Sequence, residues 1–153
     1  MMPAFQDTPD AHALKCEMAH EVIRFSGKLR LQVNGWSMLP SIRPGDTLLV
    51  EEAKSGAVRE GDIVLFGRNR GLCAHRVVKR LNESKLLTRG DAMPALDPVV
   101  PEADLLGRVS FIVRKGKLMI PSRKMGLSEA VVAAAMRRSE VGARVVARVF
   151  SRQ

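Results

Sequence analysis

The sequence predicts a mainly β fold, in which one small domain of short strands has a helix before it and a basic helix after it. Between residues 29 and 120, short apolar runs are separated by Gly-Asp and Gly-Lys turns, with no helical pattern between them. Residues 10–26 have a helical pattern, and the segment after residue 121 is rich in alanine and arginine. We therefore expect an N-terminal helical segment at 1–28, a β domain at 29–120 and a basic helical tail at 121–153.

The first element is a helix over residues 10–26. Asp10 is a suitable N-cap, and Gly27 is a suitable residue for ending the helix. Apolar residues recur at near-helical spacing within this segment, and they are Leu14, Met18, Val22 and Phe25.

Short strands follow the helix. In "LRLQVNG" the residues Leu29, Leu31 and Val33 alternate with polar ones, which is typical of a half-buried strand. Lys115-Gly116 is typical of a hairpin tip, and the three Gly-Asp pairs at 45–46, 61–62 and 90–91 are interpreted as turns. The other predicted strands are "DTLLVEE", "DIVLFGR", "LCAHRVVKRL", "KLLTRG" and "LLGRVSFIVRKGKLMI".

The last element is a helix that begins at about Ser128, whose hydroxyl and the following Glu129 suit a helix start. Its basic residues cluster at 137, 138, 144 and 148, and valines at 141, 145 and 149 form one stripe. Such a helix packs on the domain or lies on an anionic membrane surface.

Composition limits the classes of function. The net charge of +9 favours an anionic partner, whereas 4% aromatic residues without tyrosine do not suit base stacking, so we expect no specific nucleic acid. Two cysteines provide no disulfide framework, and we find no secretory signal and no apolar run that could span a membrane. We expect a cytoplasmic protein that is peripheral to a membrane if the basic helix binds lipid.

One stretch, "VNGWSMLPSIRPGD" at 33–46, encloses Ser37 between Trp36 and Met38. A serine becomes a nucleophile only when a base takes its proton and donors stabilise the oxyanion. Gly35 lets the backbone approach closely, and amides at a strand-to-turn transition can point at a developing negative charge.

The base must come from another part of the chain, which has three histidines. His12 and His20 lie in the N-terminal helix, where solvated or packing roles are typical. His75 lies inside the apolar strand "LCAHRVVKRL", which is an unusual place for an imidazole.

These motifs together resemble those of the signal peptidase I and LexA-like serine peptidase superfamily. "VNGWSMLPSIRPGD" resembles its catalytic-serine box, and "AHRVV" at 74–78 resembles the second box as it stands in the signal peptidase branch that uses histidine instead of lysine. "TRGDAMPALDPVVP" at 88–101 resembles a third box with two aspartates, and "LLGRVSFIV" at 105–113 resembles the closing strand. The resemblance covers roughly residues 29 to 115.

The resemblance implies a small LexA/signal-peptidase-like β fold and a role for each matching residue. Ser37 matches the nucleophile, His75 matches the general base, and Asp97 or Asp91 matches the acid that orients the imidazole. The oxyanion hole would use the amide of Ser37. Gly35 stands where many signal peptidases have a hydroxyl residue, so that side-chain donor is absent here, and Met38 and Pro40 are interpreted as packing and turn residues.

Two other interpretations of the site stay open. Lys79 is four residues after His75, so on a regular strand it faces the same side and would be an alternative base. Cys16 with His20, and Cys73 with His75, would be ligands of a zinc site if the fold brought the two pairs together. We expect no metal and no cofactor.

The chain departs from its relatives before the serine box, where charged residues replace the apolar anchor of signal peptidases. About 28 residues are also too few for the DNA-binding domain of a LexA-like repressor. We therefore expect a serine endopeptidase that acts on a peptide or protein substrate, and the resemblance implies small residues before the cut. The alternatives are a non-catalytic peptide-binding or regulatory module and a LexA-like self-cleaving protein.

Overall fold

The computed structural model describes residues 9–69 and 71–138. In this part of the chain, eight strands form one antiparallel sheet, with the order β1-β2-β7-β3-β4-β5-β6 and with β8 paired to β7. The predicted mainly β fold with a helix at each end is therefore confirmed. The helices are α1 (Pro9–Ser26) and α2 (Leu127–Arg138). The strands are β1 (Lys28–Gln32), β2 (Thr47–Glu52), β3 (Ile63–Arg68), β4 (Gly71–Asn82), β5 (Lys85–Arg89), β6 (Val100–Pro101), β7 (Leu105–Arg114) and β8 (Lys117–Met119).

The core lies mainly between α1 and the sheet. Ile63 and Leu65 on β3 and Leu106 and Val109 on β7 are buried together, and the partly buried Leu29, Leu31 and Val33 pack against this cluster as their alternation predicts. A second cluster around Phe66 includes Val64, Val77 and Leu86. The central strands β3 and β7 hold the two clusters together because both contribute side chains to each.

The apolar stripe of α1 does not face this core. Ala19 and Ile23 pack against the sheet, at 5% and 1% exposure. Gly107 on β7 helps to make room for Ile23. A Cβ at Gly107 would lie 3.0 Å from Cδ1 of Ile23, so the absence of a side chain there lets the isoleucine pack against the sheet. The residues of the predicted stripe are exposed instead: Leu14 by 56%, Met18 by 56%, Val22 by 44% and Phe25 by 96%.

Two of the Gly-Asp pairs form the same turn. Gly45 and Gly61 have φ values of 91° and 92°, in the left-handed region that favours glycine. The aspartate after each glycine accepts a hydrogen bond from the amide three residues before it, Arg43 to Asp46 at 2.8 Å and Arg59 to Asp62 at 2.9 Å. The interpretation of these two pairs as turns is confirmed.

The hairpin tip is also confirmed. Lys115 and Gly116 join β7 to β8 with φ values of 48° and 76°, which are the two left-handed residues that a type I′ turn requires.

Helix α2 begins one residue before the predicted start, and its first turn is capped differently. The Glu129 carboxylate accepts the amide of Gly126 at 3.2 Å, so Gly126 and not Ser128 occupies the N-cap position.

The valine stripe and the arginines at 144 and 148 lie outside the described residues, as does the Asp10 side chain. The predicted domain boundaries stay a prediction. None of the described helices has a stretch long and apolar enough to cross a membrane.

Candidate active site

Ser37 lies in a loop of residues 34–44 whose two ends are tied to each other. Val33 donates its amide to the carbonyl of Asp46 and accepts the amide of Gly45, both at 2.8 Å. After Ser37 the chain turns inward, so that Met38, Leu39 and Pro40 are buried while Trp36 stays exposed. The packing of Met38 and Pro40 anchors the loop in the core, which agrees with their interpretation as packing and turn residues.

The structure brings Ser37 and His75 together, 38 residues apart in sequence. Ser37 Oγ is 2.9 Å from Nε2 of His75, which lies on β4 and is 6% exposed. Phe66 packs its ring edge-on against the imidazole at a centroid distance of 6.0 Å. His75 Nδ1 is 2.6 Å from Asp97 Oδ2, so a proton on Nδ1 leaves Nε2 free to accept the Ser37 hydroxyl.

Asp97 is held by residues that the sequence analysis did not identify. The hydroxyl of Thr88 donates to Oδ2 at 2.7 Å, and the Arg68 guanidinium donates to Oδ1 at 2.7 Å. The Asp97 amide also bonds the carbonyl of Thr88 at 2.8 Å, which ties the loop to β5. Arg68 lies in no quoted motif and Thr88 is the first residue of the third one, but the contact of each with Asp97 depends on strand register, so neither role could be identified from the sequence.

Asp91 occupies a separate position. Its carboxylate receives two hydrogen bonds from Arg76, each at 2.8 Å, and one from the hydroxyl of Ser41 at 2.5 Å. Asp91 is 2% exposed, and both of its carboxylate oxygens accept hydrogen bonds from these two partners. Of the two candidate aspartates, Asp97 is therefore the one that contacts His75.

The backbone next to Asp91 reaches the serine directly. The Ala92 amide donates to the carbonyl of Ser37 at 2.9 Å. A Cβ at Gly90 would lie 2.5 Å from that same carbonyl oxygen and 3.2 Å from Nε2 of His75. Only a glycine at this position lets the third motif pack so close to both Ser37 and His75.

A second nucleophilic atom lies beside the histidine. Cys73 Sγ is 3.4 Å from Nε2 and 3.5 Å from Nδ1 of His75. Burial, and then the negative charge of Asp97, raise the pKa of the Cys73 thiol to about 11. A reactive cysteine needs a lowered pKa, so at neutral pH this thiol stays protonated and is a poor nucleophile.

The other two interpretations of the site do not agree with the geometry. Lys79 is exposed, and a bulge in the pairing of β4 with β5 between Val77 and Lys79 interrupts the alternation that would place it beside His75. Within residues 9–69 and 71–138, no group of three or more His, Cys, Asp or Glu side chains is arranged to hold a metal ion. The pairs Cys16 with His20 and Cys73 with His75 therefore do not form the four-ligand site.

Ser37 lines an apolar groove of about 690 Å³. One wall comes from α1, where Met18 and Val22 turn their exposed side chains toward it, and Leu31 of β1 and Leu72 of β4 line the opposite parts. A groove of this volume, with a mostly apolar lining and a few polar groups such as the Ser37 hydroxyl, is typical of a ligand site. Gly35 also lines the groove, and a Cβ there would meet no atom within 4 Å, so free space and not close packing surrounds this glycine.

The chain is therefore a mainly β protein in which Ser37, His75 and Asp97 form one row of short contacts. The sequence matches the Peptidase S24-like family over residues 5–110, and the chain belongs to this family of LexA-like peptidases. A search of curated proteins found no match. The family assignment agrees with the superfamily that the motifs resemble, while it does not distinguish the signal peptidase branch within it.

Proposed function

We propose that this protein is a serine endopeptidase in which Ser37 is the nucleophile and His75 is the general base. The observation that carries the proposal is the continuous row of short contacts, 2.9 Å from Ser37 to His75 and 2.6 Å from His75 to Asp97. The histidine at the base position is the version found in the histidine-using signal peptidases, so we propose that the chemistry follows that branch. Asp97 orients the imidazole, and Asp91 braces the loop.

The reaction follows from the proton positions. As Ser37 Oγ attacks the carbonyl carbon of the scissile bond, its proton passes to Nε2 of His75, and Asp97 stabilises the imidazolium through Nδ1. His75 then gives the proton to the leaving amine, which breaks the carbon–nitrogen bond and leaves an ester on Ser37. A water molecule, deprotonated by the same nitrogen, hydrolyses the ester and restores the serine.

The oxyanion of the tetrahedral intermediate needs a donor close to Ser37. The Ser37 amide donates no hydrogen bond to the described part of the chain. A free amide on the nucleophile itself is the usual donor in such a hole. With Gly35 two residues before the serine, the chain supplies no side-chain donor there, so we propose that backbone amides do this work.

The groove supports a peptide as the substrate. Its lining is mostly apolar and includes Ser37, so an extended peptide would place apolar side chains beside α1 while its backbone passes the hydroxyl. We therefore propose that substrates have apolar residues near the scissile bond. A non-catalytic module on the same fold would use the groove without cleavage, which the experiment below distinguishes.

The test compares the purified protein with its Ser37→Ala variant on a library of peptides, with cleavage products read by mass spectrometry. We expect cleavage by the wild type and a loss of at least about 1,000-fold in the variant, because removal of the nucleophile leaves only binding and the oxyanion hole. The matched control is Ser110→Ala, whose hydroxyl bonds the carbonyl of Leu49 away from the site. Peptide binding without cleavage by the wild type favours the module, and cleavage that persists in Ser37→Ala contradicts the proposal.

Self-directed cleavage is tested in the same samples. A self-cleaving protein produces fragments of its own chain at a rate that does not change with protein concentration, and Ser37→Ala stops their formation. Intact wild-type chain in the presence of cleaved peptides supports action on other molecules.

A further inference from the structure

Helix α2 packs against the two turns that hold Ser37. Met136, which is 3% exposed, forms a small buried cluster with Leu39 and Ala92, and Val132 packs against it. Leu39 is two residues after Ser37, and its amide closes the turn by bonding the carbonyl of Trp36 at 3.1 Å. Helix α2 therefore contacts the turn that contains Ser37, although the helix lies outside residues 5–110, over which the family match extends.

A polar contact from the same helix reaches the second turn. Arg137 Nε donates to the backbone carbonyl of Asp91 at 2.9 Å. The next residue, Ala92, donates its amide to the carbonyl of Ser37, so the arginine contact and the serine contact lie on the two ends of one peptide unit. Burial, and then the charge of Arg89, lower the pKa of Arg137.

We propose that Met136 and Arg137 are positioning residues of the peptidase site, through which α2 holds Ser37 at hydrogen-bonding distance from His75. Neither residue touches Ser37, His75 or Asp97 directly. The inference rests on the proposed function and adds a component to it, because α2 controls the nucleophile without being part of the substrate groove, whose lining includes no residue of this helix.

The separation of α2 from the groove makes the inference testable by kinetics. Substrate binds in the groove, whereas the chemical step depends on the distance between Ser37 and His75. Loss of the Met136 or Arg137 contact therefore lowers kcat and leaves KM unchanged. For Arg137→Ala we expect kcat to fall about 10-fold, since one charge-assisted hydrogen bond is lost. Arg137→Lys keeps the charge and one donor, and it restores part of the rate.

Arg138→Ala is the matched control, because Arg138 lies in the same turn of α2 and is exposed. It keeps the wild-type kcat and KM. Met136→Ala opens a cavity under Leu39, and we expect it to lower kcat while KM stays unchanged. Thermal unfolding of all four variants identifies any that do not fold, and the Arg137→Lys and Arg138→Ala pair keeps the comparison valid if Met136→Ala is unstable.

A second measurement does not depend on activity. Amide hydrogen exchange at Ala92 reports whether its bond to the Ser37 carbonyl persists, and we expect exchange about 10-fold faster in Arg137→Ala than in Arg138→Ala. Equal exchange in these two variants, or a raised KM with unchanged kcat in Arg137→Ala, overturns the inference. If the wild type shows no Ser37-dependent cleavage, the proposed function fails, whereas the exchange comparison still decides whether α2 holds the turn.

Discussion

At the scale of single residues, Asp97 is the point where the site is assembled. The two oxygens of its carboxylate form hydrogen bonds with His75, Thr88 and Arg68. Because these residues lie on β4, β5 and β3, three separate strands determine the orientation of the carboxylate. The motif around it contains a second aspartate, Asp91, which the sequence left as the less favoured candidate, and that residue is bound by Arg76 instead. The two aspartates therefore have different predicted effects on activity and stability.

The first prediction compares Asp97→Asn with Asp91→Asn. Asp97→Asn lowers kcat by roughly 100- to 10,000-fold because the wrong imidazole tautomer is favoured and the imidazolium loses its counter-charge. Asp91→Asn leaves the buried Arg76 without a carboxylate, and we expect a loss of about 3 kcal/mol in the free energy of unfolding. Denaturant unfolding and steady-state kinetics measure both variants.

Each aspartate variant serves as the control for the other. An Asp97→Asn protein with full kcat, or an Asp91→Asn protein with wild-type stability, contradicts the roles that the contacts imply.

The second prediction concerns the thiol beside His75. Because the pKa of Cys73 is raised to about 11, roughly one thiol in a thousand is ionised at pH 8. We expect Cys73→Ala to keep most of the peptidase activity and iodoacetamide at pH 8 to inactivate the wild type slowly. Rapid inactivation of the wild type by iodoacetamide, together with an inactive Cys73→Ala variant, would identify a cysteine nucleophile and contradict Ser37.

At the scale of elements, α1 has a different role from that of an ordinary amphipathic helix. Its buried contacts come from Ala19 and Ile23, which leaves Met18 and Val22 to form a wall of the groove. A small residue at 19 lets the helix backbone approach the sheet closely, and this contact sets the rotation of the helix. Two residues of the predicted stripe, Met18 and Val22, are thus available to contact a molecule in the groove.

The third prediction uses two exposed residues of that helix. Met18→Glu introduces a charge into the groove, and we expect KM for apolar peptides to rise about 10-fold, while kcat stays within twofold. Leu14→Glu is the control, because Leu14 is as exposed as Met18 and does not line the groove. Equal kinetic effects of the two variants would show that the groove does not bind the substrate.

Strand β4 shows why alternation by itself is insufficient. From Cys73 to Val77 the pattern is regular, so the histidine can be placed on the inner side from sequence. The bulge after Val77 then shifts the phase, which removes Lys79 from the site. A bulge depends on how two strands pair, and a single strand's sequence does not reveal it.

At the scale of the whole molecule, the excess of positive charge is the clearest property that the site does not explain. The net charge is +9, and several of the basic residues lie after residue 136. The fourth prediction is that the protein binds anionic vesicles and that binding falls steeply between 50 and 500 mM salt, because the attraction is electrostatic and screened. Co-sedimentation with neutral vesicles measures the part of the binding that does not depend on lipid charge.

A pair of charge reversals locates the attraction. Arg144→Glu with Arg148→Glu weakens vesicle binding, whereas Lys115→Glu with Lys117→Glu at the β7–β8 hairpin leaves it unchanged. Equal binding to neutral and anionic vesicles contradicts an electrostatic membrane partner.

The sequence by itself determined the fold class, and its motifs predicted that Ser37 and His75 belong to one site. These features depend on local patterns: strand alternation, glycine turns, and short motifs in a fixed order. They are read from neighbouring residues, which is why the hairpin at Lys115-Gly116 and the two Gly-Asp turns were also predictable.

The tertiary structure decided which aspartate reaches His75, which face of α1 is buried, and that α2 contacts the turns around Ser37. Arg68 and Thr88 belong to the site only because β3 and β5 flank β4 in the sheet. Each of these facts depends on contacts between residues far apart in the chain, and such contacts are determined by strand register and close packing, which no local pattern encodes.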